Sequence, residues 1–309
     1  MLARGQVSVM WVSSVALVVL VAAGAGCRSR KEVATIAPDP SSTPSAVSPR
    51  SAAAQASAFR DGQGVPRDEG KAVSLFGDAC DGGIAKACGD LGAMFADGVG
   101  VTRDPARAAS LFQRACDVGD FGACARLGEM AHAGAGTTRD EGRAAALFQQ
   151  ACRGGVARAC TQQGNLVMAG AGVVKDPARA VSLYQMACEA GDVDGCLDEA
   201  LAYESGTGVT QSLGDAVDLY DRACTGGSAE GCRQLGEMYE DGRGVARSVT
   251  RSVDLWTRAC DGADNLACVE LGRLYLAGHG VRADHERAMS LFKKACDAGM
   301  TMGCDAMKR

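Results

Sequence analysis

Cysteine recurs in this chain at a fixed interval. Cys80, Cys116, Cys152, Cys188, Cys224, Cys260 and Cys296 are each 36 residues apart. A second series, Cys88, Cys124, Cys160, Cys196, Cys232, Cys268 and Cys304, follows eight residues behind the first. Together they form seven Cys-x7-Cys pairs and leave Cys27 unmatched. A period of this length demands an array, because each unit buries its apolar face only against its neighbours. Regularly paired cysteines imply one disulfide in every unit, and hence an oxidising compartment.

Other residues keep the same interval. Glycine occupies 62, 98, 134, 170, 206, 242 and 278, and again two residues later in every unit. Leucine recurs from Leu75 to Leu291, always followed by an aromatic: Phe76, Phe112, Phe148, Tyr184, Tyr220, Trp256 and Phe292. Two helices per unit account for these series. Helix A is expected from about Ala87 to Ala96, with Leu91, Met94 and Phe95 on one face. The Gly-x-Gly after it supplies the left-handed backbone that ends a helix. Asp104 caps helix B and Pro105 opens its first turn, as Asp176 and Pro177 do two units later. Ala108, Leu111, Phe112 and Ala115 then form its apolar stripe. Gly92, Gly128, Gly164, Gly236 and Gly272 share one site inside helix A, with Ala56 and Ala200 in the other two units. A mid-helix glycine costs about 1 kcal/mol, so another helix should approach closely there. The expected fold is all-α: a right-handed α/α solenoid of about seven 36-residue repeats with one disulfide per repeat.

Each cysteine pair joins the end of one helix B to the start of the next helix A. Antiparallel helices across a short turn bring cysteine Cα atoms to about 5.5–6 Å, the usual disulfide separation. Closing so short a loop contributes roughly 2.5 kcal/mol in the chain-entropy treatment. That matters in a chain that is only 5% aromatic. Metal sites prefer Cys-x2-4-Cys or histidine partners, and redox pairs prefer Cys-x-x-Cys, so neither reading suits these cysteines. Ala52 stands where the first unit would carry a cysteine that has no partner before it.

The N-terminus reads as an address. Arg4 precedes an apolar run from Val7 to Ala23, and Gly24, Ala25 and Gly26 lead to Cys27. Residues 1–26 resemble a bacterial lipoprotein signal, with Cys27 as the lipidated residue. A secreted protein and a fixed membrane anchor are the alternatives, but as an anchor the run, followed by Arg28, Arg30 and Lys31, would hold the repeats in the cytoplasm. The expected place is the periplasmic face of an envelope membrane, the outer one before the inner. Residues 27–50 contain four of the seven prolines with interleaved serines, the composition of an extended tether. The repeat domain is expected over 51–309. Five of the 32 Lys and Arg and two of the 37 Asp and Glu lie before Ser51, which leaves that domain a net charge near −8. An acidic, weakly aromatic domain without a basic patch is a poor nucleic-acid binder.

The signature Leu-Gly-x-x-Phe/Tyr-x-x-Gly-x-Gly-Val, then Asp, then Ala-x-x-Leu-Phe-x-x-Ala-Cys, resembles the Sel-one-like branch of tetratricopeptide-related repeats. The added Cys-x7-Cys resembles the Helicobacter cysteine-rich proteins, whose relatives are often named β-lactamase. The first resemblance implies an adaptor that binds other proteins. The second implies penicillin binding with weak β-lactamase activity, which is the alternative function. It assigns no catalytic residue. Ser290 and Lys293 spell the Ser-x-x-Lys of serine β-lactamases, but Ser74, Ser110 and Ser182 hold the same repeat position and Lys-Thr-Gly is absent. The only histidines are His132, His279 and His285, too few and too scattered for a zinc enzyme. No metal or cofactor is expected.

Binding has a better footing than chemistry. A stacked helical array presents a long concave surface lined by helix A. By tetratricopeptide analogy the sites of residues 89, 93, 96 and 97 line it. Across the units these sites hold Glu129, His132, Asn165, Glu204, Arg233, Glu237, Glu240, Asp241 and Arg273. They vary where the packing sites do not. A polar, mostly acidic groove suits an extended envelope protein or peptide, or a glycan-peptide related to peptidoglycan. The membrane is expected to be touched only through the lipid on Cys27.

Overall fold

A computed structural model describes residues 48–308. They form fifteen helices and no strand. The helices pair as α1 (Pro49–Asp61) with α2 (Glu69–Asp81), α3 (Ala85–Asp97) with α4 (Pro105–Asp117), α5 (Phe121–Ala133) with α6 (Glu141–Arg153), and α7 (Ala157–Ala169) with α8 (Pro177–Glu189). The series continues with α9 (Val193–Ser205) and α10 (Leu213–Thr225), α11 (Ala229–Asp241) and α12 (Val249–Asp261), α13 (Asn265–Ala277) and α14 (His285–Asp297), and closes on α15 (Thr301–Ala306). Each helix packs on the one before and the one after, which is the signature of a solenoid.

Local chemistry sets the boundaries. All seven odd-numbered helices from α1 to α13 end on a left-handed glycine, from Gly62 at φ 69° to Gly278 at φ 69°. All seven even-numbered helices start behind an Asp or Ser whose side chain accepts a backbone N–H three residues on. Helix A is longer than expected, Ala85–Asp97 rather than about Ala87 to Ala96, and Ile84 precedes it without a side-chain cap. The expected tether, 27–50, overlaps the fold by three residues, Ser48, Pro49 and Arg50. Ser48 caps α1 and Pro49 occupies its first turn, so these residues belong to the solenoid.

The core is built from one contact repeated along the array. The helix-B aromatics Phe76, Phe112, Phe148, Tyr184, Tyr220, Trp256 and Phe292 are all at most 3% exposed. Each ring after a glycine unit lies in the notch that glycine leaves. A Cβ on Gly128 would sit 2.7 Å from the Phe148 ring, and one on Gly164 2.5 Å from the Tyr184 ring. What comes close to helix A is therefore a side chain of its own partner helix rather than a backbone. From the second unit on, the second glycine of Gly-x-Gly does meet the preceding unit's backbone: a Cβ on Gly136 would lie 2.2 Å from the Pro105 carbonyl.

All seven cysteine pairs are bonded, Cys80–Cys88 through Cys296–Cys304. Their Cα separations of 4.5–4.8 Å fall at the short end of the disulfide range, because the turn between helices B and A is tight. A second inter-unit tie was not expected. Arg114, Arg222, Arg258 and Lys294 each donate to the carbonyl of the cysteine that ends the preceding helix B, at 2.8–3.3 Å. The buried core divides into two clusters, Ala52–Ala187 and Cys188–Ala295. Near the division, Gln163 and Glu199 replace the core leucine found at Leu91, Leu127, Leu235 and Leu271, and they are 3% and 6% exposed.

Candidate functional site

Helix A presents its outward stripe at the sites of residues 93, 96 and 97, as an i, i+3, i+4 pattern requires. The site of residue 89 behaves differently. Thr161, Leu197 and Val269 there are buried. Thr161 Oγ1 donates to Asp192, the cap of the next helix A, at 2.5 Å. Arg233, assigned to the groove from the sequence, takes the same direction. Its Nε donates to the cap Asp264 at 2.9 Å, its NH1 to Glu237 at 2.7 Å and its NH2 to Glu230 at 3.3 Å. With a side chain 13% exposed and three acids around it, Arg233 ties α11 to α13 instead of offering itself to a ligand. Glu237 is drawn into the same cluster.

Glu204 anchors a second network. It accepts from the Tyr220 hydroxyl and, at 2.6 Å, from Arg243 NH1. Asp241 lies 3.6 Å from Arg243 Nε, which is itself buried without a hydrogen bond. Asn165 accepts from the Tyr184 hydroxyl at 2.7 Å. Burial, the Asp198 charge and the Glu204 charge push these two tyrosines up, so both hydroxyls stay protonated donors. Asp198 was missed in the sequence reading. Burial first, then the Asp194 and Glu230 charges, push its carboxyl up to about 6, against a hydrogen bond from Asn165. Its signal was available: it follows the residue-89 site by one and faces the same side as Asp90 and Glu270.

The remaining assigned residues are more open. Glu129 pairs with Arg126 at 3.5 Å, and Arg273 with Glu270 at 2.6 Å. The Glu240 carboxyl is raised by burial and by its neighbours Asp241 and Glu270. His132 Nδ1 lies 2.6 Å from Glu141, whose carboxyl is held low by His132 and Arg139. The structure thus joins Glu204 with Asp241 through Arg243, and Arg233 with Glu237; Glu129, His132 and Arg273 stand apart. His279 and His285 are exposed. Lys293 pairs with Asp297 at 2.7 Å and Ser290 is a surface residue of α14. Among the described residues no cluster of acids, cysteines or histidines is arranged to hold a metal ion. Cys27 lies outside the described residues.

Two cavities open between successive helices A, each floored by the helix-B aromatic between them. One, of about 240 Å³, lies over Phe112 beside Arg126, Glu129 and Met130. The other, of about 360 Å³, lies over Phe292 beside Arg273, Leu276 and Met302. They occupy equivalent places in the second and seventh units.

The model of the Sel1 repeat matches seven times, over residues 51–84, 85–120, 122–156, 157–192, 199–228, 229–264 and 265–300. The chain belongs to the Sel1 repeat family. No curated protein matches this Sel1 repeat protein. Among solved structures, a protective antigen of uropathogenic Escherichia coli displaying the same repeat fold superimposes with a TM-score of 0.75 at 26% identity, over 84% of this chain. This chain spans 56% of that structure's length. A Sel1 repeat protein from Oxalobacter formigenes gives a TM-score of 0.74 at 24% identity, covering 84% of this chain and 75% of its own. Helicobacter pylori cysteine rich protein B is 30% identical over 43% of this chain and 95% of its own, with a TM-score of 0.36. Sel1 repeat proteins are protein-interaction solenoids, and seven disulfides suit an oxidising compartment.

Proposed function

We propose that this protein is an extracytoplasmic scaffold that holds an extended protein or peptide segment along its helix-A face. The observation that carries the reading is the pair of equivalent cavities between successive helices A, floored by Phe112 and Phe292 and rimmed by residues that differ between units. Both are side-chain-sized and open on the same face of the array, which suits two separate anchoring side chains of an extended segment. Glu129 and Arg273 rim them and are the contacts we assign first; Asn165, Glu240 and Asp241 lie on the same stripe. The disulfides support export, and the sequence of residues 1–27 supports a lipid on Cys27 that tethers the solenoid to the periplasmic side of an envelope membrane. Among the described residues no helix is long and apolar enough to cross a membrane.

The test is crosslinking in the native envelope from a photoreactive residue at Glu129 or Arg273, with the product identified by mass spectrometry. One discrete adduct from both positions is the expected result, together with loss of co-purification of the same partner from the probe-free protein on Glu129→Ala with Arg273→Ala while the helical signal persists. Adducts that also form from an exposed helix-B position such as Ser182 would overturn the assignment of the face. Replacing Cys27 by Ala should release the protein from membranes to the soluble fraction. Hydrolysis of a chromogenic β-lactam by the oxidised domain, above a reduced-protein control, would replace this reading with an enzymatic one.

A further inference from the structure

At one seam three positions depart from the repeat together. Gln163 of α7 stands where four other units have leucine. Val167, one turn on, stands where Phe95, Tyr239 and Tyr275 stand elsewhere. Ala146 of α6 stands where Ser110, Ser182 and Asp218 stand elsewhere. A groove recurs here between successive helices B, about 550 Å³ beside Phe95 and about 330 Å³ beside Tyr239. At this seam it measures about 220 Å³, and the three exchanges change its lining, which they form together with Gln149, Val173 and Arg179.

Its polar groups lack partners inside the molecule. Gln163 is 3% exposed, yet its amide makes no hydrogen bond to another described residue. Among the described residues the only side-chain polar atom that is both sealed from solvent and unpartnered is Arg243 Nε. The Gln163 amide is therefore not sealed, and the opening it reaches is the cavity it lines. Arg179 is the residue that elsewhere stacks on the missing ring: Arg107 lies 4.3 Å from the Phe95 centroid, Arg251 5.1 Å from Tyr239 and Arg287 4.6 Å from Tyr275. Arg143, which also lacks a ring because Ala131 replaces it, is held instead by Gln113 at 2.7 Å. Arg179 has neither a ring nor an ion pair among the described residues.

We propose that this seam is a binding site for a small aliphatic carboxylate. Arg179 supplies the fork of N–H donors that a carboxylate matches, and the amides of Gln163 and Gln149 supply two more. Ala146, Val167 and Val173 supply short aliphatic walls. A cavity of 220 Å³ is below the size of a drug-like pocket and holds about one residue. The ligand is either a free short-chain acid or the C-terminal residue of a peptide, which share this chemistry. The site lies between helices B and does not depend on the proposal for the helix-A face.

The experiment is an NMR titration of the ¹⁵N-labelled, detergent-solubilised full chain with propionate, acetyl-alanyl-alanine and the C-terminal amide of that dipeptide. The acids should shift the side-chain amide signals of Gln163 and Gln149, and the amide should not. Gln163→Leu and Arg179→Gln should each weaken binding by about tenfold or more, while Arg107→Gln leaves it unchanged. Gln163→Leu installs the residue that four equivalent sites already hold, so its fold is secure. The dipeptide binding more tightly than propionate makes the ligand a chain terminus; equal binding makes it a free acid. No shift, equal shifts from acid and amide, or full binding by both variants would overturn the proposal.

Discussion

Ala263 is the one non-glycine residue at positive φ among those described, at 67°, where six other units place a glycine after helix B. The left-handed conformation costs an L-residue about 1 kcal/mol or more, and glycine gives back part of that as chain entropy. Ala263→Gly should therefore raise the stability of that junction by up to about 1 kcal/mol, seen as a later denaturant midpoint. Asp198 makes a prediction of opposite character. Its folded carboxyl titrates near 6, above the ordinary aspartate range, because burial and the Asp194 and Glu230 charges oppose ionisation. Between the ordinary value and about 6 the folded state holds a proton that the unfolded state has lost. Stability is thus greatest below that window, falls as pH rises through it, and levels off above. Asp198→Asn should abolish this fall and add about 1–2 kcal/mol at neutral pH, after allowance for solvent screening, in unfolding curves recorded across the window.

At the scale of the element, what a helix end needs was readable because one position answers to one requirement. The first glycine of Gly-x-Gly is there for its backbone, and the Asp before helix B is there for its side chain. The second glycine answers to two requirements, since it takes positive φ and also lies against the preceding unit. Gly64 separates them: it has φ 73° and nothing within 4 Å, while a Cβ on Gly136 would strike the Pro105 carbonyl. Gly64→Ala should cost about 1 kcal/mol and Gly136→Ala clearly more, as thermal melting of the two variants would show. The candidate site was less legible for a related reason. Periodicity identifies sites that stay constant and leaves every variable site looking alike. Thr161, Arg233 and Glu129 all vary with the unit, but only contact with the next helix shows that the first two are ties, while the third pairs within its own helix. Asp198 and Arg243 escaped notice because burial and partners on other helices, Glu230 for the first and Glu204 for the second, decide what each does.

For the whole molecule, the core is divided near the place where Glu199 replaces a leucine. A repeat array is held by terms between neighbours, so a buried carboxyl at one junction weakens the coupling of the two halves. Unfolding by denaturant should proceed in two steps, the half before Ala187 and the half after Cys188 separating, and Glu199→Leu should merge them; a single transition in the unaltered protein would refute this. The disulfides act on another scale, that of time. The first cysteine of every pair in the solenoid has as its partner the next cysteine in chain order, eight residues on. A chain emerging from its N-terminus meets each correct partner before any wrong one, and the shortest loop is also the one that closes at least entropic cost. Adding or deleting whole repeats leaves that rule intact, so the array has a length that evolution is free to edit without rewriting its crosslinks.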